Sequence, residues 1–203
     1  MQSTENKILS KIKKCERGKI FFADDFADFG SPETVRQTLQ RLQKSGVIKR
    51  AAHGIYYYPK KDVNIQGLII SPKPSIDDIA KAIARRDKSR IVPIGDQALN
   101  LLNLSTQVPM NVVYITTGAP RRVKIDGSRH GILFKHSSEQ KRFEYKSKLL
   151  MLIVSAMREI GEGKIYPEEL KIIKAHFQNV DKKDFEHDIK LMPLWVREIL
   201  LTL

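Results

Sequence analysis

Ser31-Pro32 opens and Gly46 closes a single helical stretch, and this punctuated segment constrains the fold more than any other feature of the chain. A serine hydroxyl caps a first turn, proline is favoured at the first helical position, and glycine supplies a left-handed stop. At about 100° per residue, Val35, Leu39 and Leu42 share one narrow stripe. Glu33, Gln37, Gln40 and Lys44 lie opposite, with Thr34, Arg36 and Arg41 flanking. Such a helix buries one thin apolar edge and presents amides and guanidinium groups outward. A merely solvated face would more usually carry Glu and Lys pairs, but Glu33 is the one acid here.

The flanking sequence gives the helix a context. Ser3 or Thr4 can cap a first helix with Ile8, Leu9 and Ile12 at helical spacing, stopped by Gly18. Residues 19–22 read as a short strand. Asp24 or Asp25 then opens a brief helix, with Phe26 and Phe29 inward and Gly30 at its end. After the capped helix, residues 47–51 and 55–58 read as strands joined by the tight turn Ala52-His53-Gly54. This order is that of a winged helix-turn-helix over residues 1–61. Tyr56, Tyr57 and Tyr58 could stack on bases, but strand residues of this kind more often pack on a neighbouring helix.

The expected class is α+β: an N-terminal winged helix-turn-helix, a small mixed α/β middle region and a helical C-terminus. Two domains are expected, 1–61 and 62–203, with Ser71-Pro72-Lys73-Pro74 as a rigid connection. Ser75 and Asp78 have capping-box-like spacing ahead of Ile76, Ile79, Ala80 and Ile83. Strands are expected at 90–94 and 112–116 with a short helix at 95–103 between them, and a hairpin at 121–125 and 132–136. From Glu144 onward the chain reads as helical, at about 144–160, 167–178, 182–190 and 193–203.

Charge then narrows the partner. Residues 1–61 hold 13 basic and 6 acidic side chains, residues 62–143 hold 13 and 7, and residues 144–203 hold 10 of each. The excess thus sits wholly in the first two thirds, which suits a polyanion there. Arg85, Arg86, Arg90, Arg121, Arg122 and Arg129 make the middle region a second candidate for DNA contact, against the alternative of an idle basic surface. A single cysteine, Cys15, excludes an internal disulfide framework and fits a reducing cytosol. The N-terminus is polar, and the longest apolar run, 149–154, is far short of the ~18 residues needed to span a bilayer. A cytoplasmic protein without a membrane partner is expected.

These features point to binding of double-stranded DNA at an operator. Gln37, Gln40 and Arg41 are placed to read base edges, since amides and guanidinium groups make paired hydrogen bonds there. Thr34 and Arg36 flank them. Lys44, Lys49, Arg50 and His53 are placed to hold the backbone, the last three from the wing. Ser31 and the free amides of the first turn are positioned for a phosphate.

Residues 31–46 (Ser-Pro-Glu-Thr-Val-Arg-Gln-Thr-Leu-Gln-Arg-Leu-Gln-Lys-Ser-Gly), followed by Val47-Ile48-Lys49-Arg50 and Gly54-Ile55-Tyr56, resemble the AbiE-type antitoxin regulators of bacterial abortive-infection systems. The resemblance continues through Gly95-Asp96-Gln97-Ala98-Leu99, Asn103-Leu104-Ser105-Thr106-Gln107-Val108-Pro109 and Val113-Tyr114-Ile115-Thr116-Thr117-Gly118. It covers roughly residues 5–136. It implies a protein that represses its own promoter and counters a nucleotidyltransferase-type toxin without a tight toxin complex.

Other signals are weaker. Asp126, Glu144 and Lys146 loosely resemble the Asp…Glu-x-Lys set of metal-dependent nucleases, but that chemistry needs all three at one metal. Glu144 reads as a helix start and Asp126 as a hairpin turn. The five histidines are scattered, and Gly161-Glu162-Gly163-Lys164 lacks the spacing and hydroxyl of a phosphate loop. No cofactor, no metal and no catalytic function are expected; a nuclease docked by its winged helix is the alternative. In the last helix Trp195, Ile199 and Leu203 form a stripe, with Val196 and Leu200 beside it. Docking onto the 149–154 helix is the simpler cover for it; a second copy (a homodimer) or the toxin is the other.

Overall fold

The computed structural model describes residues 3–65, 68–107 and 109–203. Val108, which entered the reading above, lies outside the described residues. The fold is α+β, with helices at both ends of the chain. Contacts divide it into two compact units: Met1–Ile83 with Val123–Arg129, and Ala84–Arg122 with His130–Leu203.

In the first unit, α1 (Thr4–Lys14) is capped by Ser3, whose hydroxyl accepts from the Asn6 amide. The helix ends at Cys15, short of the expected Gly18. Strand β1 (Ile20–Phe22) leads into a 3-10 turn over Ala23–Phe29, where Phe26 is buried and Phe29 only partly so. Then comes α2 (Pro32–Lys44). Gly46, at φ +76°, makes the stop that an L side chain would strain. Strands β2 (Lys49–Ala52) and β3 (Ile55–Tyr57) follow, with Gly54 at φ +71° in their turn. The sheet order is β1-β3-β2, antiparallel throughout.

Its core joins Ile8 and Ile12 of α1 to Phe21, Phe26, Val35, Leu39, Leu42 and Ile48. Thr38 is buried within the same face of α2. Tyr57 is buried, and Tyr56 stacks on Phe21 at 6.4 Å between ring centroids. Arg17 covers the Tyr58 ring at 4.6 Å. The three tyrosines are therefore packing residues. A separate hairpin, β4 (Val63–Ile65) with β5 (Leu68–Ile70), exposes Val63, Leu68, Ile69 and Ile70.

Helix α3 (Ile76–Arg86) ends in the second unit. Strands β6 (Ile91–Ile94), β7 (Asn111–Thr116), β8 (Arg121–Lys124) and β9 (Gly131–His136) form a sheet of order β6-β7-β9-β8, α4 (Asp96–Leu101) follows β6 in the chain, and Val123 and Lys124 of β8 belong to the first unit. Strands β6 and β7 are antiparallel, β7 and β9 parallel. The C-terminal helices are α5 (Lys148–Ile160), α6 (Pro167–Phe177), α7 (Lys182–Asp188) and α8 (Leu194–Leu201).

Two expectations are corrected here. Glu144 does not start a helix: it closes a 3-10 turn over Gln140–Phe143, and α5 begins at Lys148 with Ser147 as its cap. The cause lies far along the chain. The Asp188 carboxylate, fully buried, accepts the Lys146 and Ser147 amides, each at 3.0 Å. The apolar phase of α8 also differs by one residue. Val196 and Leu200 are the buried pair, packed with Leu150, Ile153, Met157 and Ile173. Trp195, Ile199 and Leu203 only flank that cluster. The α5 region therefore covers Val196 and Leu200, and Trp195, Ile199 and Leu203 stay partly buried beside them.

Candidate nucleic-acid interface

The outward face of α2 is built by what its inward face buries. With Val35, Thr38, Leu39 and Leu42 locked in the core, the helix cannot rotate. Thr34, Arg36, Gln37, Gln40, Arg41 and Lys44 are consequently exposed, as is Glu33. The entry is fixed as well: Thr4 Oγ1 donates to the Phe29 carbonyl at 2.9 Å, tying α1 to the turn before α2.

Two of these side chains have intramolecular partners. The Gln37 side-chain amide donates to Glu33 Oε1 at 3.1 Å. Arg41 meets Glu5 of α1 at 3.4 Å, with both side chains well exposed. Such a pair is weak in water and exchangeable for a phosphate or a base. Ser31 is less available than its sequence position suggests. Its hydroxyl accepts the Thr34 amide and contacts Thr34 Oγ1 at 2.8 Å, and its carbonyl accepts the Val35 amide. Since Pro32 has no N–H, the expected row of free first-turn amides is largely spent.

At the hairpin, His53 is exposed, Lys49 half-buried and Arg50 exposed. The Arg50 guanidinium is ion-paired with Asp126. That contact belongs to a feature the sequence reading missed. Residues 123–129 dock beside β2 by an antiparallel bridge between Ala52 and Ile125, and the Asp126 amide donates to the Ala51 carbonyl at 2.8 Å. The docked segment carries exposed Lys124 and Arg129. Long-range strand pairing leaves no local signature, so only the Asp126-Gly127 turn was visible.

Several middle-region arginines have structural duties in the second unit. Arg86 and Arg121 both pair with Asp87, and Arg90 donates to the Phe143 carbonyl at 3.2 Å. Arg85 and Arg122 are exposed. Of the loosely nuclease-like set, Asp126 is held by Arg50 and the Lys146 amide by Asp188. Among the described residues, no group of three or more His, Cys, Asp or Glu side chains could hold a metal ion, and no helix is long and apolar enough to cross a membrane.

Residues 7–185 match the model of DUF6088, a family of unknown function, and the chain belongs to that family. No curated protein matches it.

Proposed function

We propose that this DUF6088 protein is a DNA-binding transcriptional regulator of the cytosol whose first unit is a winged helix-turn-helix. The observation that carries this reading is the exposed face of α2, where Arg36, Gln37, Gln40, Arg41 and Lys44 stand over a buried stripe with Glu33 as the only acid. Gln37, Gln40 and Arg41 read base edges in the major groove, flanked by Thr34 and Arg36. Lys44, Lys49, Arg50 and His53 hold phosphates, and Ser31 contributes through its exposed cap. The resemblance of residues 5–136 to AbiE-type regulators extends the proposal. The protein represses its own promoter and counters a nucleotidyltransferase-type toxin, without catalysis of its own.

The test is footprinting of the full chain on DNA upstream of its own gene, joined to growth of cells expressing any adjacent toxin with and without it. Protection of a defined site and rescue of growth are expected. Absence of a footprint overturns the regulator. A footprint without rescue removes the antitoxin role. Magnesium- or manganese-dependent cutting of plasmid DNA would establish the nuclease alternative instead.

Asp126 provides a prediction of opposite sign to the usual loss. It neutralises Arg50 in the free protein, so Asp126→Ala should raise affinity for any duplex by about two- to tenfold. The slope of log affinity against log salt should steepen by about one unit, because one more cation becomes available. An unchanged slope would mean that Arg50 does not reach phosphate.

A further inference from the structure

The second unit contains an open cleft of about 440 Å³, lined in part by Arg142, Ser155, Arg158, Glu159 and Trp195. That volume lies within the range of small-ligand sites. What distinguishes it is a set of side-chain hydrogen-bond donors that open onto it, from Arg142, Ser155 and Trp195.

Glu139 chelates Arg158 through both guanidinium nitrogens, at 2.8 and 3.2 Å. This pairing holds the Glu139 carboxyl below the usual carboxylate range. Arg142 makes a longer ion pair with the same carboxylate, at 3.9 Å, with its side chain 20% exposed and its guanidinium in no hydrogen bond among the described residues. Burial, and then the neighbouring Arg158, pull its pKa down from the ordinary guanidinium value. A guanidinium has five N–H donors, and the one long contact to Glu139 leaves most of the Arg142 fork open to the cleft.

Ser155 is nine-tenths buried, and its hydroxyl also has no partner among the described residues. The same holds for the indole N–H of Trp195.

We propose that this cleft binds a small ligand through a single oxyanion, a phosphate monoester or a carboxylate, held by Arg142 with Ser155 and Trp195. Arg142 supplies the charged fork, and the Ser155 hydroxyl and Trp195 indole donate alongside it. Glu159 and Glu162 also line the cleft, so a compact single charge suits it better than a polyphosphate. This site is independent of the DNA reading: it lies within the second unit and uses none of the α2 side chains.

Trp195 is the chain's one tryptophan and therefore a built-in reporter. The full chain is titrated with inorganic phosphate and, separately, with acetate at constant ionic strength, following the Trp195 indole N–H resonance. Saturable shifts in the millimolar range are expected with at least one probe. Phosphate alone would identify the phosphate class, acetate alone the carboxylate class, and both an oxyanion site without discrimination. Arg142→Met should lose more than about tenfold in affinity. If that variant does not fold, Arg142→Lys keeps a charge without the fork and should show a comparable loss. General stabilisation by phosphate as a kosmotrope would raise the melting temperature of wild type and variant equally. The proposal is overturned if neither probe saturates, or if the Arg142 variant binds as tightly as wild type.

Discussion

Replacing Asp188 with alanine should destabilise the second unit by about 3–5 kcal/mol, a large fraction of the roughly 5–15 kcal/mol available to a typical domain. Three groups depend on this fully buried carboxylate. The Lys146 and Ser147 amides donate to it at 3.0 Å each, and His187 Nδ1 lies 2.8 Å away. Alanine would strand both amides, which are buried or partly so, and each unsatisfied donor costs about 1–3 kcal/mol. The loss falls at the start of α5, which supplies Leu150, Ile153, Val154, Ala156 and Met157 to the core. Asp188→Asn retains one acceptor oxygen and should fall between alanine and wild type. Urea unfolding checks this. A midpoint for the alanine variant close to wild type would show that the amides find other partners.

Asp188 also marks where local sequence stops being informative. Ser147 is an ordinary cap and could have been read as one, but the apolar pattern beginning near Glu144 obscured the boundary. The carboxylate that fixes it is about forty residues away. By contrast α2 was legible to within a residue, because Ser31, Pro32 and Gly46 are local stops and starts and its stripe is narrow. The β4–β5 hairpin was not legible. Leu68, Ile69 and Ile70 form an unbroken apolar run, which periodicity does not assign to helix or strand. In α8 six of the eight residues are apolar and cover more than a third of the circumference, so its sequence admits two buried phases. Packing against α5 chose Val196 and Leu200.

The candidate interface shows the same division. The outward residues of α2 follow from helix geometry alone, and the structure places them in solvent as expected. Their partners did not follow. Glu5 lies on another helix and Asp126 on a segment far along the chain, so neither the Arg41 nor the Arg50 pairing could be read from spacing. The Ser31 cap was readable, but the consequence that it occupies the first-turn amides was drawn only from the hydrogen bonds. Strand order in the second sheet, with β9 parallel to β7, likewise required contacts between distant segments.

The most direct test of the α2 reading is an anisotropy titration of the full chain on its upstream duplex and on an unrelated duplex, across a salt series. Gln37→Ala and Arg41→Ala should each cost about 1–3 kcal/mol on the upstream sequence, a factor of roughly five to more than a hundred, and much less on unrelated DNA. Lys44→Ala should weaken both duplexes alike and flatten the salt slope by about one unit. All three positions are exposed, so the variants should melt as wild type does. Wild-type affinity and salt slope for every one of these folded variants would contradict the account, because the outward face of α2 would then not touch DNA.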